Sequence, residues 1–205
     1  ALENVEIPAG VKTIGAAAFS GCGDLVSVTN MKGVTDIGAS AFSSSGLTSI
    51  DIPSSVTNIG EDAFSNCEDL VSVTNMKGVT NIGARAFQNC TGLTSIDIPN
   101  GVTNIGAAAF SGCSELKSVT NMKGVTNIGA GAFYGCTKLE NIDIPDSVTT
   151  IGPMTFELCI SLKNITIPQQ VETIGERAFA TCAQLEKIDI AKGSNLTTVG
   201  DHAFE

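Results

Sequence analysis

The chain has 205 residues, 42% hydrophobic and 16% charged, and its 21 acidic against 11 basic side chains give a net charge of −10. With no run or stripe of Lys and Arg, it is not built for nucleic-acid phosphates or anionic membrane, and a neutral or cationic partner fits better. No stretch approaches the roughly 20 apolar residues of a membrane span, and Ala1-Leu2-Glu3-Asn4 lacks the basic and apolar regions of a signal peptide.

The first element is Leu-x-x-(Val/Ile)-x-(Ile/Asn), met at Leu2-Glu3-Asn4-Val5-Glu6-Ile7-Pro8 and again at Leu47-Thr48-Ser49-Ile50-Asp51-Ile52-Pro53. Its fourth and sixth positions fall on one side of an extended chain and its third and fifth on the other, the period-two pattern of a strand. Parallel stacking of these strands predicts one long sheet. A second apolar pair follows, Val-x-x-Ile (Val56 and Ile59, Val79 and Ile82), which predicts a short strand on another side and leads to glycine. Beyond the glycine, Ala63, Phe64 and Cys67 stand three and four apart, the period of a helical turn. Pro153 directly after Gly152, and the carboxylates Glu61, Glu176 and Asp201 just past their glycines, fit the start of such a turn.

The whole unit, Ile-Gly-x-x-Ala-Phe-x-x-Cys-x-x-Leu plus strand, returns at a fixed period. All nine phenylalanines lie in it, at Phe19, Phe42, Phe64, Phe87, Phe110, Phe133, Phe156, Phe179 and Phe204. A period near 23 residues means a solenoid whose coils bury their apolar sides only against their neighbours. The expectation is therefore an α/β solenoid, with a long parallel sheet on one face and short helical turns on the other. It forms a single elongated domain over 1–205 of about eight to nine coils, both ends falling within a repeat.

The coils are of two kinds. One carries Ile-Pro after the strand (Ile52-Pro53, Ile98-Pro99, Ile144-Pro145, Ile167-Pro168) and the other Asn-Met-Lys-Gly (Asn30 to Gly33, Asn75 to Gly78, Asn121 to Gly124). They alternate through the first seven strands, and from Ile165 onward every coil is of the first kind or a variant of it. Leu25 to Thr35 nearly repeats Leu70 to Thr80, so a pair of coils reads as the copied unit.

These residues resemble the BspA-like leucine-rich repeat family, whose repeat reads Cys-x-x-Leu-x-x-Ile-x-Ile-Pro-x-x-Val-x-x-Ile-Gly-x-x-Ala-Phe. The resemblance covers the whole chain. It implies a right-handed solenoid on a surface or secreted protein, an adhesion module that binds host matrix proteins or other cells through the solenoid face. No cofactor and no membrane insertion are expected, and the rod is expected as a monomer or a weak self-associate. A structural spacer or self-associating rod that projects another domain is the alternative. The Asn-Met-Lys-Gly coils depart from the family pattern. In register, Asn30, Asn75 and Asn121 take an inward strand position, where they either bond the backbone inside or bulge the strand outward.

Seven cysteines, Cys22, Cys67, Cys90, Cys113, Cys136, Cys159 and Cys182, each lie three residues after a motif phenylalanine. Neighbours in such a column stand about 4.8 Å apart, farther than the roughly 3.8 Å between Cβ atoms in a disulfide. No Cys-x-x-Cys pair suggests zinc. Buried free thiols are expected, with Met31, Met76 and Met122 as gap-fillers. His202 is the single histidine, a poorly placed candidate base, so no catalytic, cofactor or metal residue is assigned and the chain is expected not to be an enzyme.

What remains is the outward row of the strands. Position five reads Glu6, Thr29, Asp51, Thr74, Asp97, Thr120, Asp143, Thr166 and Asp189, an unbroken alternation of acid and hydroxyl. Position three reads Asn4, Ser27, Ser49, Ser72, Ser95, Ser118, Asn141, Asn164 and Lys187. Successive carboxylates would stand roughly 9 to 10 Å apart, which only borders an inverting-glycosidase pair. A solvated face kept polar for solubility accounts for the row without function. A polar platform for an extended or basic protein partner accounts for it with one, and Asp51, Asp97, Asp143, Asp189, Thr74, Thr120, Ser72, Ser95 and Ser118 are its candidate ligand-binding residues. The row of Lys32, Lys77 and Lys123 is the next place to look.

Overall fold

The computed structural model describes residues 2–205, a right-handed parallel β-solenoid of about nine turns. Each coil contributes a strand to one row and a two-residue strand to a second. The first row holds β1 (Asn4–Glu6), β3 (Ser27–Thr29), β5 (Ser49–Asp51), β7 (Ser72–Thr74), β9 (Ser95–Asp97), β11 (Ser118–Thr120), β14 (Asn164–Ile167) and β16 (Lys187–Ile190). The second holds β2 (Thr13–Ile14), β4 (Asp36–Ile37), β6 (Asn58–Ile59), β8 (Asn81–Ile82), β10 (Asn104–Ile105), β12 (Asn127–Ile128), β13 (Thr150–Ile151), β15 (Thr173–Ile174) and β17 (Thr198–Val199). The Val-x-x-Ile pair thus forms the expected short strand on another side of the coil.

The long sheet is not where the alternation placed it. In the second row, β2 to β12 form one six-stranded parallel sheet and β13, β15 and β17 another. The first row is broken into pairs, β1 with β3, β5 with β7, β9 with β11 and β14 with β16. The break follows each Asn-Met-Lys-Gly coil. Asn30, Asn75 and Asn121 adopt left-handed backbone angles (φ 59°, 59° and 61°) directly after the strand, a conformation Asn tolerates. They bulge outward and are exposed, and the next residue, Met31, Met76 or Met122, takes the inward place and is buried. β14 and β16 pair over four residues instead of three, whereas the Ile-Pro coil before β14 forms no first-row strand and joins the row through the bridge of Asn141 to Ser118.

The expected helical turns are absent: the described residues contain one helical segment, the 3₁₀ turn Met122–Gly124. The three-and-four spacing belongs to a run of linked tight turns. In one coil the N–H groups of Ala63, Ser65 and Cys67 donate back to the carbonyls of Gly60, Asp62 and Phe64. Those of Asp62, Phe64 and Asn66, between them, donate to Ala84, Ala86 and Gln88 of the next coil. A helix would spend every N–H within itself and leave none to join the coils. The alternation needs left-handed residues, and Asp62 (φ 55°) and Asn66 (φ 58°) supply them.

Inside, the phenylalanines form one stack from Phe19 to Phe204, with ring centroids 5.2 to 5.6 Å apart. Phe42 through Phe179 are fully buried, whereas Phe204 is 40% exposed. All seven cysteines are free. Each thiol from Cys67 to Cys182 donates to the carbonyl of the preceding coil's phenylalanine at 3.0 to 3.2 Å. Burial raises the pKa values of the six thiols from Cys67 to Cys182, that of Cys113 to about 12.

Candidate functional site

The first-row strands carry their outward residues in register, so that Asp51 stands opposite Thr74, Asp97 opposite Thr120 and Asp189 opposite Thr166. The acid-hydroxyl alternation is therefore a set of neighbours. Asp51 Oδ1 accepts from Thr74 Oγ1 at 2.8 Å and from Asn75 Nδ2 at 2.5 Å. Asp97 Oδ1 accepts from Thr120 Oγ1 at 2.7 Å and from Asn121 Nδ2. In both, Oδ2 takes no hydrogen bond among the described residues, so each carboxylate is held by one oxygen and offers the other. Asp143 makes no side-chain hydrogen bond among them, and Asp189 pairs with Lys187 on its own strand at 2.8 Å. Ser72 and Ser118 are half-buried and Ser95 is exposed.

Asn75 and Asn121 were not among the candidates, because in register they belonged to the core. Their left-handed bulge moves them into the acid row. The same bulge makes the lysines part of the face. Three clefts open where the first row is broken, lined by Lys32 with Asp51, Lys77 with Asp97, and Lys123 with Asp143. In the middle one, Thr74, Asn75, Met76 and Lys77 form one wall and Asp97 and Pro99 the other. Their volumes are about 430, 260 and 320 Å³ in chain order. No ion pair joins lysine to aspartate across any of them among the described residues.

The clefts are one-sided because the Asn coil draws onto the coil before it. A Cβ on Gly78 or Gly124 would fall 2.0 Å from the carbonyl oxygen of Ser54 or Asn100, so only glycine permits that approach. Tight contact on one side and an interrupted ladder on the other make the two-coil unit of the sequence a physical unit.

Elsewhere the chemistry is sparse. His202 is exposed and pairs with Glu205. No group of three or more His, Cys, Asp or Glu among the described residues is placed to hold a metal ion, and no helix among them is long and apolar enough to cross a membrane.

The comparisons with known proteins agree with this geometry. The BspA type leucine-rich repeat region matches residues 1–103 and 80–205, in six copies. No curated protein shows significant sequence similarity to the chain. Among solved structures, a leucine-rich cell surface protein of Faecalibacterium prausnitzii is 32% identical with a TM-score of 0.61, over 93% of this chain and 60% of that one. A leucine-rich repeat protein of Bacteroides ovatus shares the fold at 24% identity and a TM-score of 0.69, over 99% and 64% of the two chains. A leucine-rich repeat protein of Treponema pallidum is 25% identical with a TM-score of 0.57, over 97% and 73%. The chain thus spans less than two thirds of the length of the first two.

Proposed function

The chain belongs to the BspA-type leucine-rich repeat family, and from that premise we propose that it is a protein-interaction module of a bacterial surface or secreted adhesin, which binds host matrix proteins or other cells through its first-row strand face. The observation that carries this reading is the fixed array of half-engaged carboxylates. Asp51 and Asp97 are held by the neighbouring coil at one oxygen and free at the other. A carboxylate kept only for solubility needs no such positioning, whereas a preorganised one binds a cationic group without losing side-chain freedom. The chain's charge of −10 favours a basic partner and speeds its approach.

The test is binding of the purified chain to immobilised host matrix proteins and whole cells, with the parent and a variant carrying Asp51→Asn, Asp97→Asn, Asp143→Asn and Asp189→Asn. The variant binds more weakly, and binding of the parent falls with added salt as the screening length shrinks to roughly 10 Å and below. Equal binding by both proteins would move the site off this face, and a parent that binds nothing would leave the rod as a spacer.

A further inference from the structure

Thirteen of the fourteen asparagines are followed by Val, Ile, Leu, Met or Cys, and one, Asn100, by glycine. We propose that Asn100-Gly101 is a self-modifying site, at which the main-chain nitrogen of Gly101 displaces the side-chain nitrogen of Asn100 as ammonia and water then leaves an aspartyl or isoaspartyl residue. The change needs no enzyme and adds one negative charge beside the middle cleft. It stands independently of the strand-face reading.

The structure leaves this one amide open to attack. Asn100 and Gly101 are the central residues of a tight turn in which the Val102 N–H donates to the Pro99 carbonyl at 2.9 Å, and both are exposed. The Gly101 N–H makes no backbone hydrogen bond among the described residues, so the attacking nitrogen is not tied up. The Asn100 amide makes no side-chain hydrogen bond among them, whereas ten of the other asparagines donate theirs. Glycine completes the arrangement. Without a side chain it lets its nitrogen swing onto Asn100 Cγ, an approach that the β-branched Ile after Asn58, Asn81 and Asn104 crowds.

The reaction balances on the chain and water alone. The Gly101 nitrogen gives its proton to solvent and bonds to Asn100 Cγ, the Cγ–Nδ2 bond breaks, and Nδ2 takes a proton and leaves as ammonia. Water then opens the cyclic imide. Attack at Cγ breaks its bond to the Gly101 nitrogen and gives aspartate, and attack at the Asn100 main-chain carbonyl carbon breaks the other bond and gives isoaspartate. The two products meet different neighbours. Aspartate already holds the same slot in Ile144-Pro145-Asp146, so the repeat accommodates it, and its carboxylate joins Lys77 and Asp97 around one hollow. Isoaspartate lengthens the main chain by a methylene where a Cβ on Gly124 would already fall 2.0 Å from the Asn100 carbonyl oxygen. The following Asn-Met-Lys-Gly coil cannot keep that close approach, so this product loosens the joint between the two coils.

The test incubates the whole folded chain at mildly alkaline pH and follows each asparagine-bearing peptide by mass spectrometry, with aspartate and isoaspartate separated by retention time. The Asn100 peptide gains the mass of an amide-to-acid exchange ahead of every other, and ammonia is released in step. Gly101→Ser slows this several-fold and keeps the fold. Ser55 and Ser147 hold that slot in sister coils and donate to the carbonyls of Val34 and Val125, and a Cβ on Gly101 stands 3.2 Å from the matching carbonyl of Val79. The isoaspartyl fraction melts below the parent, while Asn100→Asp melts with it. Equally early conversion at another asparagine, undiminished conversion in Gly101→Ser, or conversion of Asn100 only after unfolding in urea would each overturn the proposal, and an isoaspartyl fraction as stable as the parent would overturn the loosened joint.

Discussion

The stretch from β1 to β12 and the stretch from β13 to the last turn use one repeat, yet they hold their coils together differently. In the first, the second-row sheet is continuous and a side-chain ladder runs beside it. Asn127 donates to Asn104, Asn104 to Asn81, Asn81 to Asn58 and Asn58 to Asp36, at 2.6 to 3.1 Å. The next slot is Thr150, which is too short to continue the ladder, and the sheet ends at the same place. The N–H of Gly152 lacks the bond to the preceding coil that Gly129 makes to Ile105 and Gly175 to Ile151. A single bridge, Ser118 to Asn141, joins the first row there. Only the turn side stays fully bonded, with Gly131, Phe133 and Gly135 donating to Pro153, Thr155 and Glu157. The two stretches therefore meet at a seam that is closed on the phenylalanine side and loose on both strand sides. Beyond the seam β13, β15 and β17 pair again through Thr150, Thr173 and Thr198 without such a ladder.

The largest effect comes from removing the closed side of the seam. Phe133 and Phe156 are fully buried and stack across the seam at 5.6 Å. Phe133→Ala costs about 3 to 5 kcal/mol, as does Phe87→Ala inside the first stretch. The shape of the melt separates them, because a solenoid's cooperativity is carried by nearest-neighbour interfaces. Phe133→Ala splits the thermal transition in calorimetry and Phe87→Ala does not. A single transition in both would mean that the strand sides couple the stretches after all.

The second effect uses glycine as a gauge of coil spacing. A Cβ on Gly129 would stand 2.4 Å from the backbone of Ala107 and one on Gly175 2.5 Å from Pro153, but one on Gly152 meets Ala130 at 3.4 Å. Gly129→Ala and Gly175→Ala each cost about 1 to 3 kcal/mol in forced movement. Gly152→Ala leaves the denaturation midpoint nearly unchanged, and an equal loss at all three sites would close the seam.

The sequence made the coil, its core columns and the second strand legible, because period and apolar spacing are fixed by burial alone. The free thiols followed from their place beside each phenylalanine, and five are buried while Cys22 and Cys182, toward the two ends, are half-buried. Three things were not legible. The linked turns share the three-and-four spacing of a helix, and the signal against a helix was the Gly and Asn at Gly21, Asn66, Asn89, Gly112 and Gly135, which all take positive φ. The broken first row depended on whether Asn75 stayed in or bulged out, which pattern alone could not decide. The facing of the Lys and Asp rows follows from that bulge, so with the bulge left open the two rows read as separate.

A third test asks whether the core stays dry through the seam. Cys136 and Cys159 face each other across it, both fully buried, and burial raises both thiol pKa values. A thiol held protonated in the fold above its ordinary 9.0 leaves stability level below that pH. Above it the unfolded chain ionises and the fold does not, so each buried thiol removes about 1.4 kcal/mol per pH unit until its own raised value is reached, about 12 for Cys113. Denaturation midpoints should hold to pH 9 and fall beyond it. Alkylation of the native protein should leave Cys136 and Cys159 as unreactive as Cys90 and Cys113, and faster reaction at the first two would show water entering the seam.

The smallest effect compares the aspartates of the two stretches. Asp97 accepts hydrogen bonds from Thr120 and Asn121, and both contacts fix the left-handed bulge that shapes a cleft. Asp143, on the seam itself, accepts none among the described residues, since the coil after it has no Asn-Met-Lys-Gly bulge to reach back. Asp97→Asn replaces one charged acceptor by a neutral amide that still offers an oxygen, so about 1 kcal/mol is lost. Asp143→Asn changes stability by no more than about 0.5 kcal/mol, as exposed substitutions without partners do. Urea melts of the two single variants at one salt concentration resolve that difference. Equal losses would mean that Asp143 finds a partner in solution, and Lys123 lines the same cleft, so the seam would then be closed by that pair rather than open.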